Sequence, residues 1–193
     1  MNLLKNRCVW ATENDPLMQK YHDTEWGVPT HNDRALFEFL VLESAQAGLS
    51  WRTVLHKREA YRKAFAKFDA KKVSQFTQKD VARLLKNAGI IRNRLKIEAA
   101  INNAKLFLEI QKEFGSFAVY SWKFVGGKTI RHIIKTVKQY PVTIPEAHVF
   151  AADLKQRGFK FLGPTTIYAH MQAVGMVDDH MVGCFRHTRL KKR

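Results

Sequence analysis

The stretch from Leu36 to Trp51, LFEFLVLESAQAGLSW, constrains the fold more than any other part of this chain. Drawn as a helix, it carries apolar side chains on every side of its first two turns, and a helix that is apolar all round is buried. Glu43 lies in the middle of this helix, and Gln46 follows on the same face. A carboxylate is seldom buried without a partner, because removing its charge from water is costly.

Two interpretations of Glu43 follow. In the first, an arginine or a backbone amide neutralises it, or it lies at the one wet edge of the helix. In the second, it belongs to a functional site. The segment AGLSW favours the second, because it ends the helix at Gly48 and places Trp51 on the next turn. An acid, an amide and an indole at one helix end predict a pocket for a flat, polar ligand that can carry positive charge.

The length and the charge of the chain limit what it can be. Its 193 residues suit a single domain, long enough to bury a core without disulfide bonds. There are 33 lysines and arginines against 17 aspartates and glutamates, a formal net charge of +16. This excess predicts a polyanionic partner, either nucleic acid or an anionic membrane surface. Apolar runs are too short to span a bilayer and the N-terminus does not resemble a secretory signal, so we expect a cytoplasmic protein.

Helical periodicity covers most of the chain, and residues typical of helix caps mark where helices begin. Helix starts are predicted at Asp15-Pro16, Asp33, Ser50, Asp69, Thr77 and Gly163-Pro164. The segment 130–142 mixes β-branched and basic residues between glycines and prolines, so we expect it to be irregular. Because alternating patterns extend over no more than a few residues, the predicted fold is all-α.

The segment 80–104 predicts a helical hairpin. Its helical periodicity is interrupted at Gly89 and then resumes in a second helix that begins with Arg92, Arg94 and Lys96. A helix N-terminus offers unpaired N–H groups and a positive dipole end to a phosphate. The pattern suits a helix-hairpin-helix, which holds the DNA backbone without reading sequence. An ordinary hairpin with a solvated basic face is the alternative, and the charge of the whole chain favours the first interpretation.

Two cysteines and two histidines near the chain ends could bind a metal. Cys8 and His22 lie near the N-terminus, and His180 and Cys184 form an H-x-x-x-C pair near the other end. Two thiolates and two imidazoles bind zinc tetrahedrally and leave no position for water, so the site would be structural. The spacing is not that of a zinc finger. The alternative is two buried free cysteines with unrelated histidines.

Several longer motifs together carry a resemblance. They are RCVW at 7–10, DPLMQKYHDTEWGVP at 15–29, LE-x-x-QAGLSW-x-TVL-x-KRE-x-YR at 42–62, AGIIR-x-R-x-KI at 88–97, KQRGFKFLGPTTIY at 155–168, MQA-x-G at 171–175 and V-x-DH-x-VGC at 177–184. On these motifs the chain resembles the 3-methyladenine DNA glycosylase I family, bacterial base-excision enzymes with a helix-hairpin-helix fold. The resemblance covers nearly the whole chain and is weakest at 120–150.

The resemblance implies roles for individual residues. The implied base pocket consists of Trp10, Tyr21, Trp26, Glu43 and Trp51, with Glu43 as the candidate catalytic residue. The implied DNA-binding residues are Gly48, Leu49, Gly89, Arg92, Arg94 and Lys96. The implied ligands of one structural zinc ion are Cys8, His22, His180 and Cys184. Two residues depart from the family pattern: Met18 stands where we expect an aromatic side chain, and Ala169 stands where we expect a small hydroxyl residue.

The resemblance also implies an activity. It is the flipping of 3-methyladenine out of alkylated double-stranded DNA and its hydrolytic release, by a single unit of residues 1–193 acting as a monomer. We expect no strand cleavage, because no lysine is placed for Schiff-base chemistry. We expect Glu43 to act first in recognition, because related glycosylases use an aspartate beyond the hairpin and none occurs between Asp80 and Asp153.

Two rival hypotheses remain at this point. One is a DNA-binding protein that has lost its pocket, for which Met18 and Ala169 are the only support. The other is a zinc-stabilised helical module that binds RNA or anionic lipid through its basic face. The second leaves Glu43 and its aromatic neighbours unexplained.

Overall fold

The computed structural model describes residues 6–11 and 14–187 of the chain. Within these residues the chain forms ten α-helices and one two-stranded parallel sheet. The helices are α1 Pro16–Thr24, α2 Asp33–Gln46, α3 Trp51–His56, α4 Arg58–Ala64, α5 Ala70–Val73, α6 Gln78–Leu85, α7 Arg94–Phe114, α8 Phe117–Trp122, α9 Pro145–Gln156 and α10 Pro164–Ala173. The strands are β1 Ile130–Arg131 and β2 Val177–Asp178. The prediction of a mostly helical fold is confirmed, and the short β1 lies in the segment expected to be irregular.

The core is built around α2. Every residue from Leu36 to Ala45 is buried, as the apolar pattern of this helix predicts. The long helix α7 and the shorter α3, α8 and α10 all pack against α2. This arrangement places the C-terminal end of α2, with Glu43 in its last turn, where α3 and α10 also meet it.

The prediction that Asp33 caps α2 is wrong. Asn32 is the cap, and its side-chain oxygen accepts a hydrogen bond from the backbone N–H of Ala35 at 3.0 Å. Asp33 is the first helical residue, and its carboxylate accepts from the backbone N–H groups of Phe117 and Ala118 at 2.8 and 2.9 Å. The carboxylate therefore serves the N-terminus of a different helix, α8, whose first N–H groups have no intrahelical partner.

Most other predicted helix starts are confirmed by their caps. The side chains of Asp15, Ser50 and Asp69 each accept a backbone N–H from the first turn of the following helix. Thr77 forms a reciprocal capping box with Asp80. The chain after Ser50 is less continuously helical than the spacing of its apolar residues predicts. It contains α3, α4 and then a turn at Ala66–Phe68, where the backbone adopts positive φ angles.

The two helices predicted on either side of Gly89 are present as α6 and α7, but their turn is longer than expected. The second helix begins at Arg94, because the Asn93 side chain caps it by accepting from the Lys96 N–H at 3.1 Å. Arg92 therefore lies in the turn and not in the helix. A Cβ atom on Gly89 would lie 2.7 Å from the Cβ atom of Ala60, so the turn packs too closely against α4 for a side chain.

The N-terminal and C-terminal parts of the described chain lie together. Phe185 donates its backbone N–H to the Asn6 carbonyl at 2.8 Å, and Met181 donates its N–H to the Cys8 sulfur at 3.4 Å. The pairing of β1 with β2, continued by a bridge between Ile134 and Met181, attaches the irregular segment to the same region. Within the described part of the chain, no helix is both long and apolar enough to cross a bilayer.

Candidate active site

A cavity of about 590 Å³ lies at the C-terminal end of α2. Glu43 and Gln46 line it from α2, and the start of α3 contributes Trp51. Its remaining wall comes from α1, from Trp26 just after it, from α10 and from the segments 9–10 and 137–141. The cavity therefore collects side chains that are far apart in the chain around the end of the buried helix α2.

Glu43 is buried, with 4% of its surface exposed, and it lines this cavity. Among the described residues, none donates a hydrogen bond or forms an ion pair with its carboxyl group. The nearby buried arginine, Arg58, pairs instead with Glu38 and Glu25. Burial raises the pKa of Glu43 to about 8, which favours the protonated carboxyl group at neutral pH. A ligand that donates hydrogen bonds or carries positive charge would offset the free-energy cost of burying the ionised carboxylate.

Four aromatic side chains surround the carboxyl group. Trp10 meets Trp26 edge to face, with ring centroids 4.9 Å apart, and Tyr21 lies 5.1 Å from Trp51. All four rings line the cavity. The indole N–H of Trp51 is buried, and it has no hydrogen-bond partner within the described chain. The cavity thus combines flat apolar walls with one acid and one unused donor, which suits a planar heterocycle.

Beside this cavity lies a cluster of potential metal ligands. The ligand atoms of Cys8, His22 and Cys184 lie within 4.8 Å of one another, and all three residues are buried. The two thiols titrate as a pair: the hydrogen bond with Cys8 lowers the pKa of the Cys184 thiol, and the same bond together with burial raises the pKa of Cys8, so one thiolate forms readily between them. Trp10 connects the two sites, because its ring contacts the imidazole of His22, with centroids 5.1 Å apart.

His180 adjoins this cluster, although its ring nitrogens are not among the three grouped ligand atoms. Its ring centroid lies 5.0 Å from that of His22. Both imidazoles hold Nδ1 against a carboxylate: His22 with Asp23 at 2.9 Å and His180 with Asp178 at 2.8 Å. The buried Nε2 of His180 has no partner in the described residues. Histidines that bind metals commonly show this arrangement, in which one ring nitrogen contacts a carboxylate and the other nitrogen is left to bind the metal.

The residues predicted to contact DNA occupy two neighbouring turns. Gly48 and Leu49 form the turn between α2 and α3, where Gly48 has a φ of +78° and Leu49 is 43% exposed. Arg92 and Arg94 are exposed at the hairpin turn and at the start of α7. Lys96 differs from them. Its ammonium donates to the carbonyl oxygens of Ala45 and Ala47, at 2.8 and 2.6 Å, and so joins the two turns.

The sequence of the chain matches the methyladenine glycosylase family over residues 10–187. The chain belongs to this family. A curated relative from Escherichia coli (strain K12), named DNA-3-methyladenine glycosylase 1, is 46% identical over 178 residues, which cover 92% of this chain and 95% of the relative. The predicted family is confirmed, and with it the prediction that the chain is a glycosylase.

Solved structures of the family have the same fold. A crystal structure of 3-methyladenine DNA glycosylase I superposes with a TM-score of 0.92 at 47% identity, covering 95% of this chain and all of the other, 100%. A tyrosine-to-phenylalanine variant of 3-methyladenine DNA glycosylase I, in complex with 3-methyladenine, superposes with a TM-score of 0.89 at 40% identity, covering 93% and 96% of the two chains.

The two departures from the family pattern both lie in the cavity wall. Met18 lines the cavity from α1 and Ala169 lines it from α10. A methionine is flexible and apolar, so Met18 preserves an apolar wall without a ring to stack. Ala169 offers no hydroxyl group. The difference at these positions therefore alters individual contacts to a ligand but leaves the acid and the four rings in place.

This wall also contains a polar network that the sequence patterns did not predict. Gln172 lines the cavity and donates from Nε2 to the Asp179 carboxylate at 2.6 Å. Asp179 is fully buried and also accepts from the Tyr168 hydroxyl and from Nδ1 of His132, which lies in the irregular segment. Because Asp179 holds the amide nitrogen, it fixes which end of the Gln172 amide remains as an acceptor. The motif V-x-DH contained this residue, but its spacing does not show which side chains converge on it.

Proposed function

We propose that this chain is a base-excision repair glycosylase that hydrolytically releases 3-methyladenine from alkylated double-stranded DNA. The observation that carries the proposal is the Glu43 carboxyl group, buried without a protein partner in a cavity walled by aromatic rings. The solved relative that contains 3-methyladenine supports the choice of substrate. The net charge of +16 supports a nucleic acid as the larger ligand.

The damaged base must leave the duplex before it can enter the cavity. Flipping a nucleotide costs a few kcal/mol of stacking and pairing, and an inserted apolar side chain offsets part of this cost. Leu49 is an exposed apolar residue in the turn that follows the Glu43 helix, which suits the role of a wedge. The adjacent Gly48 has open space around its Cα atom, so DNA can approach the backbone closely there.

Charge explains how the site would select a damaged base. While attached to deoxyribose, 3-methyladenine is positively charged, its glycosidic bond is already weakened, and the base departs neutral. The faces of Trp10, Tyr21, Trp26 and Trp51 favour a cation. Glu43 accepts hydrogen bonds from the adenine edge, and a cationic base would lower the pKa of the carboxyl group from the value of about 8 that burial gives it. Undamaged adenine is neutral and loses this electrostatic contribution.

Glu43 acts first in recognition and not as the base that activates water. Glu43→Gln keeps the shape and the polar acceptor but removes the negative charge. We therefore expect this variant to weaken binding of the cationic nucleotide and to retain most of the rate of base release when enzyme is saturating. Single-turnover release from methylated duplex DNA measures this rate. A fall by several orders of magnitude with intact binding of free 3-methyladenine would assign general-base catalysis to Glu43.

One zinc ion fits the residues between the chain ends. Cys8, His22 and Cys184 are already grouped, and the free Nε2 of His180 supplies a fourth donor of the correct type. Two thiolates and two imidazoles leave no position for a reacting water, so bound zinc supplies structural cross-linking only. It would hold residues 8–22 against 180–184, next to the cavity wall that Trp10 forms.

We further propose that α6 and α7 form a helix-hairpin-helix that binds the DNA backbone. Arg92 and Arg94 are exposed beside the N-terminus of α7, where a backbone phosphate would meet both their charge and the free N–H groups. We expect a monofunctional enzyme, since no lysine among the described residues lines the cavity. On the family resemblance we also expect a monomer that acts in the bacterial cytoplasm, on the DNA of the nucleoid.

Release of free base from DNA treated with a methylating agent tests the whole proposal. The expected product is 3-methyladenine, with the DNA strand left intact at the abasic site. A protein that only binds DNA would be retained on duplex without forming free base. A helical module for RNA or lipid would show no preference for duplex and no ligand in the cavity. Either of these results would overturn the assignment.

A further inference from the structure

Lys96 makes an unusual contact for a residue at the start of a hairpin helix. It lies in the first turn of α7, yet its ammonium group donates to two backbone carbonyls that are 51 and 49 residues earlier in the chain, those of Ala45 and Ala47. The side chain is half-buried, and this burial lowers the pKa of the ammonium group. A lysine placed only to meet DNA phosphate would keep its ammonium group in solvent.

The two carbonyls belong to the C-terminal end of α2. This helix ends at Gln46, and Ala47 has left the helical conformation, so the last carbonyls lack intrahelical partners. The negative end of the helix dipole lies at the same place, which favours a cation. Lys96 therefore satisfies this end of the Glu43 helix in the way that a terminal cap residue would, but from a different element.

The capped end leads directly into the turn formed by Gly48 and Leu49. The N–H of Leu49 donates to the Gln46 carbonyl at 2.6 Å, so the turn begins on the residue that lies between the two whose carbonyls Lys96 contacts. Gly48 adds conformational freedom, with a φ of +78° and no atom of the described residues within 4 Å of its Cβ position. The contacts of Lys96 on either side of Gln46 therefore limit the movement of this turn and of Leu49 within it.

We propose that Lys96 is a positioning residue that couples the DNA-gripping hairpin to the Leu49 turn, and that it does not bind a phosphate. This inference rests on the proposed function. The hairpin binds the DNA backbone through Arg92 and Arg94. The Lys96 ammonium group fixes the distance between these arginines and the Leu49 side chain. The wedge can then resist the restacking of the flipped base, because it cannot move back independently of the hairpin.

Lys96→Met tests this role, since methionine keeps much of the apolar stem and loses the ammonium group. The matched control is Arg94→Met, at an exposed position two residues earlier. For Arg94→Met we expect weaker duplex binding and a salt dependence of log K that falls by about 1. For Lys96→Met we expect an unchanged salt slope and unchanged binding of free 3-methyladenine. Single-turnover release from fully paired duplex should fall about tenfold or more, and much less when the damaged base lies in a single strand.

A double variant identifies the route by which Lys96 acts. If Lys96 works through the wedge, Lys96→Met combined with Leu49→Ala should release base no more slowly than Leu49→Ala alone. Additive losses, or a salt slope that falls as in Arg94→Met, would overturn the proposal. Lys96→Gln provides a second neutral variant if Lys96→Met lowers the melting temperature. A wild-type protein that releases no 3-methyladenine from any substrate would instead refute the proposed function.

Discussion

Burial alone shifts the pKa of Glu43 and of His170 strongly, and the surroundings of these two side chains give the shifts different meanings. Glu43 has its pKa raised to about 8 and lines the aromatic cavity. His170 is fully buried on α10, its pKa is lowered to about 3, and neither ring nitrogen has a partner within the described residues. His170 is not among the residues lining the cavity and packs toward Phe150, with ring centroids 6.5 Å apart. A shifted pKa therefore marks a site here only where a cavity accompanies it.

We predict that His170 makes the fold sensitive to acid. The unfolded chain takes up a proton below pH 6.5 and the folded chain does so only near pH 3, so stability present above pH 6.5 is lost as the pH falls. The contribution is about 1.4 kcal/mol of unfolding free energy per pH unit. His170→Phe removes it. Urea unfolding between pH 7 and pH 5 measures the free energy of unfolding of both proteins. This free energy should fall less with decreasing pH in the variant than in the wild type, and an equal fall in both would contradict the prediction.

At the scale of elements, helix ends in this fold are capped across the tertiary structure as well as locally. Asn32 caps its own helix, α2, whereas Asp33 directs its carboxylate to the N-terminus of α8. Lys96, from α7, caps the C-terminal end of α2 by donating to the carbonyls of Ala45 and Ala47. Both ends of the Glu43 helix are thus tied to other helices. Such contacts fix the position of the helix that carries the acid, and not only its helical conformation.

Asp33→Ala should therefore cost more stability than Asn32→Ala. Removing the Asn32 cap leaves one helix start unsatisfied, which costs about 1 kcal/mol. Removing the Asp33 carboxylate leaves two N–H groups of α8 and the side-chain amide of Gln111 without their acceptor, and we expect a loss of about 2–3 kcal/mol. Chemical denaturation of the two variants measures the difference. Equal losses would show that water replaces the Asp33 contacts without cost.

For the whole molecule, the N-terminal segment that forms part of the cavity wall lies against the C-terminal segment of the described chain. Trp10 lines the cavity two residues after Cys8, and Tyr21 lines it one residue before His22. The C-terminal segment carries His180 and Cys184 to the same place. Anything that holds the ends together consequently also holds part of the pocket wall.

Removal of metal should therefore weaken both stability and base binding. We expect about one zinc ion per chain in protein purified without chelator, a lower melting temperature after a strong chelator, and weaker binding of free 3-methyladenine. Cys184→Ser should reproduce the loss. Elemental analysis, thermal unfolding and calorimetric titration with the free base measure the three effects. Metal-free protein with an unchanged melting temperature would refute the zinc site.

Part of the site follows from sequence through rules that act over a few residues. The all-round apolar pattern of residues 36–42 predicted that the helix is buried, and with it the burial of Glu43. Cap chemistry predicted the helix start at Asp15-Pro16, because its hydrogen bonds reach only two or three residues along the chain. Residue type alone suggested that Cys8, His22 and Cys184 could share a metal, and the family resemblance assigned them to zinc, since their spacing left the metal open.

Patterns of residue type along the chain are enough to predict a helical fold, a buried acid and the family. The partners of several polar groups become visible only in the folded chain: Asp33 accepts from α8, Asp179 accepts from Gln172, and Lys96 donates to the end of α2. These hydrogen bonds join atoms that are far apart in the chain, and several of those atoms are backbone carbonyl or N–H groups that nearly every residue carries. They leave no periodic or compositional trace, and they appear only when packing has brought the elements together.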